Sequence, residues 1–362
     1  MLYALQTVPG LGTLAWREAE QVLSSGPAQT APRLVGIKAV PGRNDLVLIA
    51  HQGGPKPLLS LRLAEDVFVV AARGYRIAPD ERGLRQIYAA VRAAEDVAPA
   101  LEAWRRLSGL RKPGGTFRVI ARTVGRQRYL RRDVGRAVAD AVREGWPGTW
   151  RLVEDDGDLE VWATLVEQEL LCTIRLSDAS MRQRGKLRHL PASLRPALAA
   201  AMVALTDPAP EDVFLDPMAG AGTILVERAA AGPFAELHGG DLNSEAVNAM
   251  RENLRGVKGR IVTSRWDARR LPLEDSSVDK VAVNLPFGKQ VSNEAELPDL
   301  YQAVLAEIAR VLRPGGRLVA LTGDTRLLEQ ARNRAARNLR PGPRQRVIVL
   351  GQPAVICEYT RL

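Results

Sequence analysis

From residue 211 onward, short apolar runs and amphipathic runs alternate in strict order. The strand-like runs are 213–216, 237–241, 260–264, 278–284 and 317–322. The helix-like runs between and after them are 223–231, 244–254, 299–311 and 325–337. Parallel strands need crossover connections of a dozen or more residues, usually helices that cover the sheet. Right-handed crossovers leave one economical solution, a doubly wound α/β sheet with mostly parallel strands. The last two runs, 346–350 and 354–360, are joined only by Gly351-Gln352-Pro353. That link is too short for a crossover, so they are predicted to form an antiparallel hairpin at one edge.

The first 205 residues follow another pattern. Strands are predicted at 3–7, 46–51, 67–75 and 116–122, and a hairpin at 160–166 and 170–176. Helices are predicted at 11–24, 83–107 and 132–144. Strands interrupted by helices in this order suggest a small α+β layer. Four segments are expected: 1–65, 66–176, a basic linker with a helix at 177–205, and 206–362.

Two cysteines, Cys172 and Cys357, leave no room for a disulfide framework or a Cys-rich zinc site, and three histidines support no His-rich metal centre. No metal is expected. No run of about 18 apolar residues occurs, so no transmembrane helix is expected. The first 20 residues lack a basic stretch followed by an apolar core, so no signal peptide is expected and the cytoplasm is the predicted location. The expected state is a monomer. Charge is informative through its distribution. Residues 105–151 hold 13 Lys or Arg against 3 Asp or Glu, whereas residues 1–104 are nearly neutral, with 11 against 10. Smaller basic stretches lie at 175–195 and 326–346. Such clustering is the footprint of a polyanionic partner.

Asp216-Pro217-Met218-Ala219-Gly220-Ala221-Gly222-Thr223 follows the first strand of the alternating half and opens its first helix. The glycines permit a tight turn and close approach of a ligand to the backbone. The spacing is a poor dinucleotide fingerprint, because Leu225 stands where the third glycine belongs. Asp216 in the turn repels a pyrophosphate and suits a cationic ligand, such as the ammonium and sulfonium of S-adenosylmethionine. Asp241, with Leu242, ends the second strand and can accept bonds from ribose hydroxyls. Asp267 and the backbone N–H of Ala268 follow the third strand and can bind an adenine edge. All three sites fall at carboxyl ends of strands, where such sheets bind ligands.

Asn284-Leu285-Pro286-Phe287 closes the fourth strand. It resembles the [D/N/S]-P-P-[Y/F/W] motif of amino-group methyltransferases, with Leu285 in place of the first proline. An exocyclic amine is a poor nucleophile, because its lone pair is delocalised into the ring. Two acceptors, the Asn284 side-chain oxygen and the Leu285 carbonyl, can hold its nitrogen in line with a methyl donor. Pro286 fixes the turn, and Phe287 offers a face to a flipped base. With the following Gly288, the motif has the N-L-P-F-G form familiar from tRNA guanine-N2 enzymes. Residues 312–320, Leu-Arg-Pro-Gly-Gly-Arg-Leu-Val-Ala, resemble the helix-to-strand turn common in class I methyltransferases.

In the first half, Phe117 to Arg122, then Arg131-Arg132-Asp133-Val134-Gly135 and the hairpin at 152–176 resemble the THUMP domain of RNA-modifying enzymes. Val8-Pro9-Gly10-Leu11 and its helix resemble the ferredoxin-like domain that precedes THUMP. The segment 182–205, with Arg184-Gly185, resembles the linker into the catalytic domain. Over its whole length the chain resembles THUMP-containing tRNA guanine-N2 methyltransferases of the TrmN type. The resemblance implies an S-adenosylmethionine-dependent enzyme with a Rossmann-like catalytic domain. Its THUMP domain would hold the 3′-CCA end of tRNA, and methylation would fall on a guanosine of the acceptor stem, typically position 6. The RNA-contacting residues expected from it are Arg122, Arg126, Arg128, Arg131, Arg132, Arg136, Arg182 and Arg184. Other readings are a methyltransferase for ribosomal RNA or adenine N6, a small-molecule methyltransferase, and a non-catalytic RNA-binding protein. A THUMP thiolation enzyme would need a P-loop and paired reactive cysteines, and the sequence has neither.

Overall fold

The computed structural model describes residues 1–25, 31–109, 114–184, 187–188, 190, 193–287 and 294–362. The chain divides into two compact units, Met1–Met181 and Arg182–Leu362.

The first unit runs β1 (Leu2–Thr7), α1 (Gly12–Ser24), β2 (Arg33–Lys38), β3 (Asp45–Ala50), β4 (Asp66–Gly74), α2 (Glu81–Arg92), α3 (Val97–Ser108), β5 (Gly114–Val124), α4 (Arg131–Gly145), β6 (Thr149–Leu152), β7 (Leu159–Val166) and β8 (Glu169–Arg175). Its eight strands form one sheet in the order β2-β3-β1-β4-β8-β7-β5-β6. β5 runs parallel to β6 and β7, and every other pair is antiparallel. The expected segments 1–65 and 66–176 share this sheet, since β1 pairs with β4 from Tyr3 opposite Val69 to Gln6 opposite Asp66. Tyr3, Leu5, Ile49, Phe68 and Phe117 are fully buried.

Three features depart from the sequence reading. β2 and β6 were not expected, and both are edge strands. The long helix expected over 83–107 is two helices, α2 and α3, broken at residues 93–96. Pro99 accounts for the break. It lacks an N–H, and its ring would clash with the carbonyl four residues earlier, but it is tolerated in the first turn of a new helix.

The second unit opens with a short helix, α5 (Ser180–Gln183), shared with the end of the first unit's chain, and then α6 (Pro196–Leu205). The alternating part runs β9 (Val213–Asp216), α7 (Thr223–Ala230), β10 (Glu236–Asp241), α8 (Ser244–Asn253), β11 (Arg260–Arg265), β12 (Val278–Asn284), α9 (Leu297–Val311), β13 (Leu312–Thr322), α10 (Thr325–Ala335), β14 (Leu339–Val349) and β15 (Gln352–Arg361). The strand order is β11-β10-β9-β12-β13-β15-β14. The five strands β9 to β13 are parallel, and β15 and β14 form the expected antiparallel edge hairpin. The Leu312 to Gly316 stretch, expected as a turn, already belongs to β13, with Gly315 at φ +81°. Leu215, Val281, Val283, Leu305 and Leu318 pack the sheet against α9. The order in which strands are added reverses between β9 and β12, which run parallel, and this opens a crevice at their carboxyl ends. Among the described residues, no helix is long and apolar enough to cross a membrane.

Candidate functional site

The crevice of the second unit gathers the carboxyl ends of β9, β10 and β12. A cavity of about 110 Å³ lies there, lined by Asp216, loop residues 218–221, Thr223, Ile224 and Asn284. Leu190, Ser193 and Leu194 from the linker complete its wall. A larger cleft of about 490 Å³ in the first unit is lined by Trp104, Asp158, Glu160 and Arg175 among others, and holds none of the motif residues.

Asp216 is 1% exposed, and its Oδ1 accepts the Met218 N–H at 3.2 Å. Burial pushes its carboxyl up to about 8, and the neighbouring Asp241 adds to the rise. A buried acid in this condition ionises readily once a positive charge is placed beside it. Gly222 caps α7 at φ +76°, and a Cβ there would sit 2.8 Å from Met250 Cγ. Only glycine takes that turn without strain.

Asp241 Oδ2 accepts the Gly220 N–H at 2.9 Å, and Oδ1 accepts the Asn243 N–H at 2.9 Å. The carboxylate expected to hold a ribose therefore also shapes the glycine loop. Two carboxylate oxygens offer about four acceptor sites, so capacity for a ligand remains. Leu242 beside it is 59% exposed. Pro217 accepts the buried Trp266 Nε1–H at 2.9 Å, a tether to the loop that sequence reasoning missed. Asp267 is gripped by Arg269, whose Nη2 lies at 2.6 Å, and this holds its carboxyl below the usual carboxylate range. Ala268 next to it is buried.

Asn284 ends β12 with its Oδ1 buried and without a hydrogen-bond partner. Buried acceptors are rarely left so. Asn284 is one of the residues that line the cavity, where an amine N–H reaching its oxygen would satisfy it. Leu285 N–H donates to the Leu321 carbonyl at 3.0 Å, and the Tyr301 hydroxyl donates to the Pro286 carbonyl at 3.0 Å. Tyr301 also shares a hydrogen bond with Thr322 Oγ1 at 3.0 Å, and burial pushes its hydroxyl up to about 12. Tyr301 thus anchors the turn, a role that nothing in the motif announces. Phe287, expected to offer an open face, is 7% exposed, because its ring packs over Gly323. Gly288 lies outside the described residues, as does Gly185 of the linker.

The basic residues divide in the structure. Arg131, Arg132 and Arg136 project from α4 into a groove of about 930 Å³, joined by Arg143, which sequence reasoning did not single out. The floor is apolar, with Val119, Ala121, Ala139 and Leu152. β6 covers the outer side of β5 only from Gly114 to Phe117. The Phe117 carbonyl accepts Val153 N–H on that side, so the backbone of Val119 and Ala121 faces the same open edge by strand alternation. Arg126 and Arg128 are exposed in the loop before α4.

The structure does not bring Arg122 to this groove. It lies on the other face of β5, with its guanidinium 4.1 Å from the Trp162 ring centroid and 3.5 Å from Gln6 Oε1. Strand alternation separates it from Ala121. Arg184, expected at the RNA, is instead buried against Glu227 at 3.5 Å. Arg182 is exposed on the linker.

Residues 184–347 match the RMKL-like methyltransferase domain family. The mouse tRNA (guanine(6)-N(2))-methyltransferase THUMP3 is 32% identical over 230 residues, 59% of this chain and 45% of that protein. The chain thus spans under half the length of this mammalian relative. The Thermus thermophilus tRNA (guanine(6)-N2)-methyltransferase is 31% identical over 294 residues, 81% of this chain and 83% of that one. The crystal structure of TrmN from Thermus thermophilus superposes with a TM-score of 0.76 at 27% identity, covering 100% of this chain and 99% of that one. A crevice of this form, the basic stretch of the first unit and likeness over more than four-fifths of the Thermus protein lead to one assignment: the chain belongs to the TrmN-type family of tRNA guanine-N2 methyltransferases.

Proposed function

We propose that the protein transfers a methyl group from S-adenosylmethionine to N2 of a guanosine in tRNA. The unpartnered buried Oδ1 of Asn284, set beside the glycine loop, carries this reading. S-adenosylmethionine, when bound, supplies an electrophilic methyl on a sulfonium. Asp216 would become a carboxylate beside its positive charge, and Asp241 would take the ribose hydroxyls. Ala268 and Asp267 would meet the adenine edge, with Leu242 beside them.

Asn284 Oδ1 and the Leu285 carbonyl would accept the two N–H groups of the exocyclic amine. That pairing would orient the nitrogen lone pair and stabilise the positive charge that grows on the amine as the methyl passes from sulfur to nitrogen, leaving a neutral thioether; one N–H proton is then lost to solvent. Positioning supplies most of the rate, since no strong base is required before attack. Tyr301 keeps the turn in place through the Pro286 carbonyl. Phe287 supports the turn from beneath.

We assign residues 66–176 to a THUMP domain, 1–65 to a ferredoxin-like domain, 177–205 to the linker and 206–362 to the catalytic domain. In this reading the α4 groove holds the 3′-CCA end through phosphate contacts, which position an RNA without reading its sequence. Arg131, Arg132 and Arg136, with Arg126 and Arg128 nearby, supply the charge. The target in this reading is a guanosine of the acceptor stem at position 6, the position number in the names of both relatives above, and the enzyme acts as a cytoplasmic monomer. The test is incubation with methyl-labelled S-adenosylmethionine and, separately, bulk tRNA and ribosomal RNA, followed by nucleoside mass spectrometry. N2-methylguanosine from tRNA alone supports the reading. Label on adenosine or in ribosomal RNA keeps the transfer chemistry and overturns the substrate.

A further inference from the structure

Asn253 is the last residue of α8, and its side-chain amide joins two separate stretches of backbone. Its Oδ1 accepts the N–H groups of Leu187 and Arg188, both at 2.8 Å. Its Nδ2 donates to the Arg188 carbonyl at 3.0 Å and to the Ala221 carbonyl at 2.9 Å. An Asn amide has two donors and two acceptor lone pairs, so every one is engaged. Three of the bonds go to the linker. The fourth goes to the glycine loop, at the residue between Gly220 and Gly222.

The described linker residues 187–188, 190 and 193–195 belong to no helix or strand. The linker's other described ties include ion pairs of Arg188 with Glu252 at 3.2 Å and Glu245 at 3.9 Å, and of Arg184 with Glu227 at 3.5 Å. A few residues further on, Leu190, Ser193 and Leu194 line the cavity with Asp216 and Asn284. We propose that Asn253 is a positioning residue for the cofactor, clasping the linker to the glycine loop so that Leu190, Ser193 and Leu194 form one wall of the cofactor site. This rests on reading that cavity as the S-adenosylmethionine site. Asn253 itself lines no part of the cavity. Its effect is preorganisation: a wall and a loop already in place cost less to order when the ligand arrives. Loss of the clasp therefore weakens binding of the cofactor, while Asn284 on β12 keeps its arrangement for the chemical step.

The test is calorimetry with S-adenosylmethionine on the full chain, alongside steady-state kinetics, for wild type, Asn253→Ala and Leu194→Ala. Asn253→Ala is expected to weaken cofactor affinity at least tenfold and raise its KM to match. kcat at saturating cofactor and KM for tRNA are expected to stay within threefold. A role confined to folding would lower Tm and the active fraction and leave that KM unchanged. Leu194→Ala removes a wall side chain without touching the clasp, and is expected to weaken affinity about fivefold. It keeps the proposal testable should Asn253→Ala fail to fold. Cofactor affinity within twofold of wild type in Asn253→Ala, or in Leu194→Ala where the former does not fold, overturns the clasp alone. Absence of binding by the wild type overturns the cofactor reading and the clasp with it.

Discussion

At the residue scale, the proposed mechanism rests chiefly on two side chains, and each has a distinct signature. Asn284→Ala removes a preorganised polar group worth on the order of 3 kcal/mol, so kcat should fall about 100-fold with tRNA affinity nearly unchanged. Single-turnover kinetics with a parallel binding assay checks this, and near-normal turnover would remove Asn284 from the mechanism. Asp216 is neutral in the folded protein below about 8, whereas in an unfolded chain it ionises near 4. Between those values the folded state holds one more proton, so its contribution to stability is greatest at low pH and declines as pH rises through 8. Asp216→Asn should therefore raise Tm more at pH 9 than at pH 5, while weakening binding of the cationic cofactor. Equal Tm changes at the two pH values would mean that Asp216 is not held neutral. The motif residues stood out in the sequence because their types match the chemistry proposed for them. Trp266, Tyr301 and Asn253 did not, because each acts on backbone far away in sequence.

Elements of the second unit were readable to within a few residues where apolar periodicity was strong, as in β9, β12 and α8. Reading faltered at edges and joints. β2 is an edge strand with a register shift between Leu34 and Gly36, so its alternation gives a weak signal. The α2–α3 break turns on one proline inside an otherwise helical pattern. Charge runs told even less about faces: Arg122 and Arg131 lie nine residues apart, yet one stacks on Trp162 and the other lines the α4 groove. The turn from β9 into α7 gives an element-scale test. Gly222→Ala places a Cβ at left-handed φ and against Met250, which should cost about 1 to 2 kcal/mol in chemical denaturation. A change below about 0.3 kcal/mol would show that the turn relaxes freely.

At the scale of the whole molecule, the proposed division of labour is electrostatic. The net positive stretch of 105–151 belongs to the first unit, and the crevice proposed for the cofactor to the second. Reversing charge at Arg131 and Arg132 should lower the steepness of log Kd against log salt by about 1.5, since each lost phosphate contact removes about 0.7 to 0.9. An unchanged slope would place the RNA on another surface. Methylation of N2 needs the amine itself, and inosine is guanosine without it. We would compare labelling of one tRNA carrying guanosine at position 6 with the same tRNA carrying inosine there, in the presence of methyl-labelled S-adenosylmethionine. Label on the guanosine form and none on the inosine form is the expected result. Equal labelling of both would contradict transfer to that amine.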